Sequence, residues 1–167
     1  MRYYLKFMIF IFLSLLFSAN ALAVSSENEA KGIDEFMQQF VYAYENRDLN
    51  TLMDFYASNA VIIGTGNDEI IKGKNEIREG FKKEFLQSSN ATVEINRIAL
   101  DVTSKYAFIS YILNVNVVIP NQQPFQSKLR FSAVLVKHNQ RWAILQSHLS
   151  APLAGQKAGD SFPLATG

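Results

Sequence analysis

The sequence predicts an α+β domain in which three helices come first and four antiparallel strands follow. Two observations carry this prediction. Up to residue 87, apolar residues recur every three or four positions, as they do in amphipathic helices. From Ala91 onward they alternate with polar residues, which is typical of strands with one buried face. A chain of 167 residues can hold one such domain with a core of its own.

The first 23 residues have the three parts of a secretory signal peptide. A cationic start at Arg2 and Lys6 precedes an apolar run, and a small-x-small sequence ends at Ala23. A membrane anchor is the alternative, but the run is shorter than the roughly 20 residues that a spanning helix needs. We therefore expect residues 1–23 to be cleaved. The mature protein would then be secreted or periplasmic, with no membrane attachment.

Charge and composition exclude several classes of function. The chain has 16 basic and 15 acidic residues, and the predicted signal holds two of the basic ones, so the mature chain has a net charge of −1. Without a basic run, it lacks the electrostatic footprint of a nucleic-acid-binding protein. The absence of cysteine excludes disulfides and thiolate chemistry. Because His138 and His148 fall at opposite ends of one predicted strand pair, we predict no metal site and no cofactor.

Three segments have the apolar spacing of helices. Ser26 and Glu29 form a capping box for the first helix. Asp48 can cap a short second helix, and the third follows Gly73. Their apolar stripes are Ile33, Phe36, Met37, Phe40, Val41 and Tyr44 in the first, Leu49, Leu52, Met53, Phe55 and Tyr56 in the second, and Ile77, Phe81 and Phe85 in the third.

Four long strands follow the helices, and one short strand-like run comes before the third helix. A short β-branched run at 60–63 precedes dense turn chemistry at 64–68. In the first long strand the apolar phase changes, so we expect a β-bulge near Asn96 and Arg97. Residues 153–167 are predicted to form an extended tail after a domain over 24–152. The four long strands are predicted to begin at Ala91, Tyr106, Phe125 and Arg141, and to end at Val102, Ile119, Lys137 and Ser150.

The closing hairpin carries a family resemblance. It contains Arg130-Phe131-Ser132, a turn at Asn139-Gln140, then Trp142-Ala143-Ile144 and His148-Leu149-Ser150. This pattern resembles the SnoaL-like branch of the nuclear-transport-factor-2-like superfamily, whose members often have Arg-aromatic-Thr, a two-residue turn, Trp-x-Ile and a later His-x-Ser. The stretches NRDLNTLMDFYASNAVIIGTG and IIKGKNEI are similar to the family's helix-to-strand connection and third helix. The resemblance therefore covers nearly all of the mature chain.

The resemblance implies a fold more clearly than an activity. It implies a cone-shaped, curved antiparallel sheet packed on the three helices. The superfamily includes isomerases, dehydratases, cyclases, transport adaptors, ketosteroid-isomerase-like proteins and the association domain of calcium/calmodulin-dependent kinase II, so membership names no single reaction. It also implies a homodimer through the outer sheet face. There we predict an apolar patch of Val134, Val136, Leu145 and Leu149, which is typical of a partner surface.

The hairpin turn predicts which residues share the inner face of the sheet. A two-residue turn at 139–140 and regular alternation pair Leu135 with Ile144, Ala133 with Gln146 and Phe131 with His148. This face is the more apolar and is expected to contact the helices. We therefore predict a small-molecule cavity lined by Tyr111, Phe131, Trp142, Ile144, Gln146 and His148.

His148 is the leading candidate for acid–base chemistry, because histidine titrates near neutral pH. Tyr111 is a second candidate, as a hydrogen-bond donor; a structural histidine and an ordinary core tyrosine are the alternatives. The resemblance to ketosteroid-isomerase-like proteins implies a catalytic tyrosine at position 40 and a general-base aspartate at position 64. This chain has Phe40 and Gly64 there. Glu69, next to Asp68, could cover the cavity mouth or belong to a solvated turn.

These observations predict an exported, non-catalytic module that binds a small, mostly apolar molecule. The alternative is a small isomerase, dehydratase or cyclase with His148 as general acid or base and Tyr111 or Gln146 as donor to an oxyanion. The missing acid and phenol favour the first prediction. A carboxylate in the apolar cavity would favour the second.

Overall fold

A computed structural model describes residues 27–152 and residue 159. The chain divides into two compact units, Met1–Phe36 and Met37–Gly167. The predicted signal peptide and most of the predicted tail lie outside the described residues, so both stay predictions. Within the described part, no helix is both long and apolar enough to cross a membrane.

The described residues form three helices, which we label α1 (27–45), α2 (Leu49–Asp54) and α3 (Gly73–Gln87). Asp48 caps α2 as predicted: its carboxylate accepts hydrogen bonds from the Thr51 backbone N–H at 3.0 Å and hydroxyl at 2.6 Å. The bond from the Thr51 hydroxyl has the larger effect and the bond from the backbone N–H the smaller one, and both lower the pKa of Asp48. Gly73 has a φ of +77°, a left-handed conformation that favours glycine, so the chain can turn there into α3.

Six strands in the described residues form one sheet. They are β1 (Tyr56–Ile63), β2 (Ile70–Lys72), β3 (Asn90–Val102), β4 (Tyr106–Val118), β5 (Phe125–His138) and β6 (Arg141–Ser150). Their order is β2-β1-β6-β5-β4-β3.

The α+β class is confirmed, with one difference in the sheet. Neighbouring strands are antiparallel except β1 and β6, which run parallel. The sheet is therefore mixed, whereas the sequence predicted antiparallel strands. The first strand lies beside the last because β6 offers a free edge. The connection is secured where the backbone N–H of Ile144 donates to the carbonyl of Phe55 at 2.7 Å.

The β-bulge predicted in β3 is confirmed, one residue further along the strand. The register of β3 against β4 shifts between Arg97 and Ala99. Ile98 is the extra residue, and it is 62% exposed. The shift lets the inward apolar phase of β3 resume at Leu100, as its sequence pattern required.

A second bulge, which the sequence did not predict, lies in β6. Leu135 pairs with Ile144 as predicted, but the register then shifts and Val134 pairs with Gln146. Leu145 is therefore an extra residue in β6. The predicted register is wrong beyond Ile144, because regular alternation assumes one residue for every position of the partner strand.

The bulge exchanges the residues that β6 presents to each face. Phe131 pairs with Leu149, and Ala133 pairs with Ser147. Because directly opposite residues share a face of the sheet, Ser147 and Leu149 lie on the inner face with those partners. His148 alternates to the outer face, where it is exposed.

The predicted apolar patch on the outer face changes in the same way. Leu149 does not belong to it, because the bulge turns that residue inward. Val134, Val136 and Leu145 remain there, half-buried.

Candidate functional site

A cavity of about 700 Å³ opens between the inner face of the sheet and helices α1 and α3. This volume lies within the range of small-molecule sites in proteins, roughly 300–1,000 Å³. Its wall is mostly apolar, and polar side chains interrupt it at a few points. The sheet contributes Val93, Leu113, Val115, Val117, Leu129 and Phe131, among other residues.

Aromatic rings hold the helical side of the cavity together. Phe40 contacts Tyr56 edge-on, with ring centres 6.0 Å apart. Tyr44 packs against Phe81 at 6.2 Å and against Phe85 at 5.7 Å. Such contacts add to the burial free energy of the rings and restrict their orientation. The phenol of Tyr44 is therefore held in one place in the wall.

A carboxyl group and a phenol meet in this wall. The hydroxyl of Tyr44 on α1 donates a hydrogen bond to Oε1 of Glu84 on α3. The Glu84 side chain is reached by solvent through the open cavity, but protein atoms enclose much of its carboxyl group. This desolvation raises the pKa of Glu84, the bond from Tyr44 lowers it, and the nearby charge of Glu69 raises it further. Glu84 therefore binds a proton more strongly than an ordinary glutamate.

Both phenols of the wall resist ionisation. Desolvation, followed by the charge of Glu84 and the hydrogen bond to it, raises the pKa of Tyr44 far above its ordinary value. Burial, and then the charge of Glu84, raises the pKa of Tyr56 in the same way. Tyr44 and Tyr56 thus remain neutral hydrogen-bonding groups at physiological pH.

A second carboxylate comes from the loop between β1 and β2. Oε2 of Glu69 accepts a hydrogen bond from the backbone N–H of Gly66 at 2.8 Å. The backbone N–H of Gly64 donates to the carbonyl of Glu69 at 2.9 Å. A Cβ atom at Gly64 would lie 2.0 Å from Oε2 of Glu69, so the carboxylate occupies the space that a side chain at position 64 would need.

A phenol and a carboxylate thus line the cavity from positions other than 40 and 64. Tyr44 follows Phe40 by one helical turn on the same stripe, and Glu69 covers Gly64. Glu84 was not predicted, because only the apolar residues of α3 were assigned to a shared face. Its spacing contained a signal, since Glu84 continues the stripe of Ile77 and Phe81 at i+7 and i+3.

Most of the residues that were predicted to line the cavity lie elsewhere in the fold. Six residues were predicted to line the cavity, and Phe131 is the one of them that does. Tyr111 and Ile144 belong to the core and are 1% and 0% exposed. Trp142 lies at the hairpin end, with the ammonium of Lys137 at 5.0 Å from its ring centre. The placement predicted for these three is therefore wrong: the sheet extends beyond the cavity, and its inner face is filled there by the core.

Gln146 and His148 were also predicted to line the cavity, and that placement is wrong because of the Leu145 bulge. Both are exposed, and Ser147 and Leu149 line the cavity instead. The catalytic roles predicted for His148 and Tyr111 depended on a shared cavity, and the fold does not bring these two residues together there.

Ser147 is the buried polar residue of the cavity floor. It is 1% exposed and pairs with Ile62 of β1 and Ala133 of β5. No side-chain hydrogen bond joins its hydroxyl to another described residue. A hydroxyl in this position can donate to or accept from a molecule in the cavity.

The part of the chain that the structure describes has no group of three or more histidine, aspartate or glutamate side chains that could hold a metal ion. The polar side chains that line the cavity are two carboxyl groups, two phenols, one ammonium group, one amide and three hydroxyls, contributed by Glu69, Glu84, Tyr44, Tyr56, Lys83, Gln87, Thr65, Ser88 and Ser147.

The sequence profile of the SnoaL-like domain matches residues 33–154. The chain belongs to the SnoaL-like domain family. No curated protein matches this SnoaL-like chain.

Solved structures share its fold. A nuclear transport factor 2-like superfamily protein from Salmonella enterica serovar Typhimurium is 19% identical, with a TM-score of 0.71 over 82% of this chain and 99% of that one. A candidate scytalone dehydratase from Novosphingobium aromaticivorans is 10% identical, with a TM-score of 0.72 over 85% and 97%. A candidate dehydratase from Streptomyces avermitilis is 14% identical, with a TM-score of 0.69 over 77% and 99%. At these identities the similarity shows the fold alone.

The raised pKa of Glu84 predicts a pH-dependent effect of Glu84→Gln on stability. Because the folded state holds this proton more tightly than the unfolded chain, the ionised carboxylate destabilises the fold as pH rises through the folded-state pKa. Glutamine removes the charge and keeps an acceptor for Tyr44. We expect Glu84→Gln to melt at a higher temperature than the wild type at about pH 8, and the difference to vanish near pH 4.

Calorimetry at the two pH values measures this effect. Glu79→Gln, on the exposed face of α3 beside Lys82, is the matched control and should show no such pH-dependent gain. A Glu84→Gln protein that is equally stabilised at both pH values would contradict the assignment.

Proposed function

We propose that this SnoaL-like protein, exported by its predicted signal peptide, binds a small, mostly apolar molecule. The observation that supports this function is the open cavity of about 700 Å³ with an apolar wall. Burial of apolar ligand surface supplies affinity in such sites, and a few polar groups fix the orientation. Here the orienting groups are Tyr44, Glu84, Glu69 and Ser147.

Filling the cavity tests this function. Val93 and Val115 are cross-strand partners on the inner face, and both line the cavity, so replacing both with tryptophan should narrow it. The affinity of Nile red, a neutral apolar dye, should fall by about tenfold or more in a fluorescence titration. Glu94 and Asn114 are the neighbouring pair on the outer face, and tryptophan at both should leave the affinity unchanged. Equal binding by both double variants would place the dye elsewhere.

A second candidate function is acid–base catalysis on the bound molecule. The raised pKa of Glu84 favours it, because a carboxyl group that binds its proton more strongly than an ordinary glutamate is suited to act as a general acid toward a carbonyl or hydroxyl. Glu69 is close enough for its charge to raise the pKa of Glu84 and could accept a proton in the same reaction. An isomerase, dehydratase or cyclase reaction needs such a pair.

Proton exchange on an aryl ketone tests the catalytic function. In D2O, the wild type should exchange the protons next to the carbonyl of 1-acetonaphthone faster than buffer, as measured by NMR. Glu84→Gln and Glu69→Gln should each slow the protein-dependent exchange by roughly 10²–10⁴-fold. Glu79→Gln should match the wild type. If the wild type gives no exchange above buffer, the protein does not catalyse this class of reaction.

We further propose a homodimer through the outer sheet face. Phe108, which is 50% exposed, pairs with half-buried Val134 on that face. Val136 and Leu145 extend the same apolar patch. An interface of standard size would bury on the order of 1,600 Å² in total.

A charge in the patch tests the dimer. Val134→Glu should yield monomers in light scattering, because a buried, unpaired carboxylate opposes association. Lys82→Glu, on the exposed surface of α3, should leave the assembly unchanged. A Val134→Glu protein with the mass of the wild-type assembly would exclude this interface.

A further inference from the structure

The acidic groups of the cavity form no ion pair with any residue that the structure describes. Glu84 and Glu69 both line the cavity, and neither forms an ion pair with a described lysine, arginine or histidine. Lys83 also lines the cavity and is exposed, as Glu69 and Glu84 are, but it forms no ion pair with either carboxylate. With two glutamates and one lysine, the charged residues of the cavity lining therefore leave an excess of negative charge.

A second, independent observation indicates a binding group for a polar ligand atom in the same cavity. Ser147 is almost fully buried on the cavity floor, and its hydroxyl has no side-chain hydrogen bond to a described residue. Buried polar groups in proteins almost always have a partner, so a ligand that reaches this floor gains an interaction that the protein alone does not supply. An ammonium group has three N–H donors, and a serine hydroxyl can accept one of them.

The wall around the carboxylates also suits a cation. Tyr44, Tyr56 and Phe81 form one contact network, with Tyr56 and Phe81 ring centres 6.0 Å apart and Tyr44 and Phe81 ring centres 6.2 Å apart. All three rings line the cavity. The faces of aromatic rings attract cations, and the attraction is stronger where water is excluded.

From these observations we infer that the natural ligand of the cavity is a protonated amine on an apolar body, with Glu84 and Glu69 binding the ammonium group and Ser147 accepting one of its N–H donors. This inference rests on the proposed binding function and specifies its ligand class. An anionic ligand would meet two carboxylates at close range, which opposes binding. A neutral alcohol would fill the same apolar space but leave both charges unpaired.

Three probes with one apolar body test the inference by isothermal titration calorimetry on the full chain. They are 2-(1-naphthyl)ethylamine, 2-(1-naphthyl)ethanol and 1-naphthylacetic acid, which differ in charge and share the naphthalene. We expect the amine to bind about tenfold or more tightly than the alcohol, because hydrogen bonds between charged groups are the stronger kind. The acid should bind more weakly than the alcohol.

Single-residue variants test which side chains bind the ammonium group of the amine. Glu84→Gln and Glu69→Gln should each reduce the affinity for the amine by about tenfold and should change the affinity for the alcohol much less. Ser147→Ala should weaken both the amine and the alcohol, and Glu79→Gln should match the wild type with all three probes. Two carboxylate variants from separate elements keep the test valid if one of them fails to fold.

The outcomes separate this inference from the proposed function. If the alcohol or the acid binds as tightly as the amine, the cavity binds apolar molecules without a preference for cations, and the inference is wrong while the proposed function stands. If none of the three probes binds but Nile red does, the inference is wrong and the proposed function still stands. If neither the probes nor Nile red bind, both are wrong. The inference is also wrong if Glu84→Gln and Glu69→Gln both bind the amine more tightly than the alcohol by the same factor as the wild type.

Discussion

A single extra residue in β6 determines which side chains of this strand line the cavity. The register shift at Leu145 places Ser147 and Leu149 on the inner face and leaves His148 exposed. Without the shift, a histidine would project toward the helices, and the floor of the cavity would have different chemistry. Because side chains alternate strictly along a strand, a one-residue shift changes the face of every residue beyond it. The set of side chains that β6 contributes to the cavity therefore depends on one irregularity in the backbone of this strand.

The polar groups of the cavity show how one fold can supply similar chemistry from different positions. The phenol of Tyr44 comes from the turn after Phe40, and the carboxylate of Glu69 folds back over Gly64. The absence of a side chain at Gly64 is what makes room for that carboxylate. Glu84 adds a second acid, at a cost in desolvation that shows in its raised pKa.

Sequence reasoning predicted the architecture better than the site because the two depend on different kinds of pattern. Helix α3 and the β3 bulge follow from apolar periodicity, a signal that each segment carries by itself. The resemblance of the closing hairpin correctly indicated the family. The site prediction extended regular alternation across β6 and failed at Leu145, since no local signal marked that residue as an extra one. Glu84 was overlooked because a charged residue within an apolar stripe usually belongs to the helix surface.

The sequence by itself determined the class of the fold, the three helices, the long strands and the hairpin turn, because hydrophobic period and turn chemistry act over a few residues. It also contained the stripe that brings Tyr44 to the cavity. Only the tertiary structure decided that β1 lies parallel to β6, that Ser147 rather than His148 faces the helices, and that Glu69 and Glu84 share one cavity. Each of these facts joins segments far apart in the chain, and their relative placement results from packing the sheet against the helices.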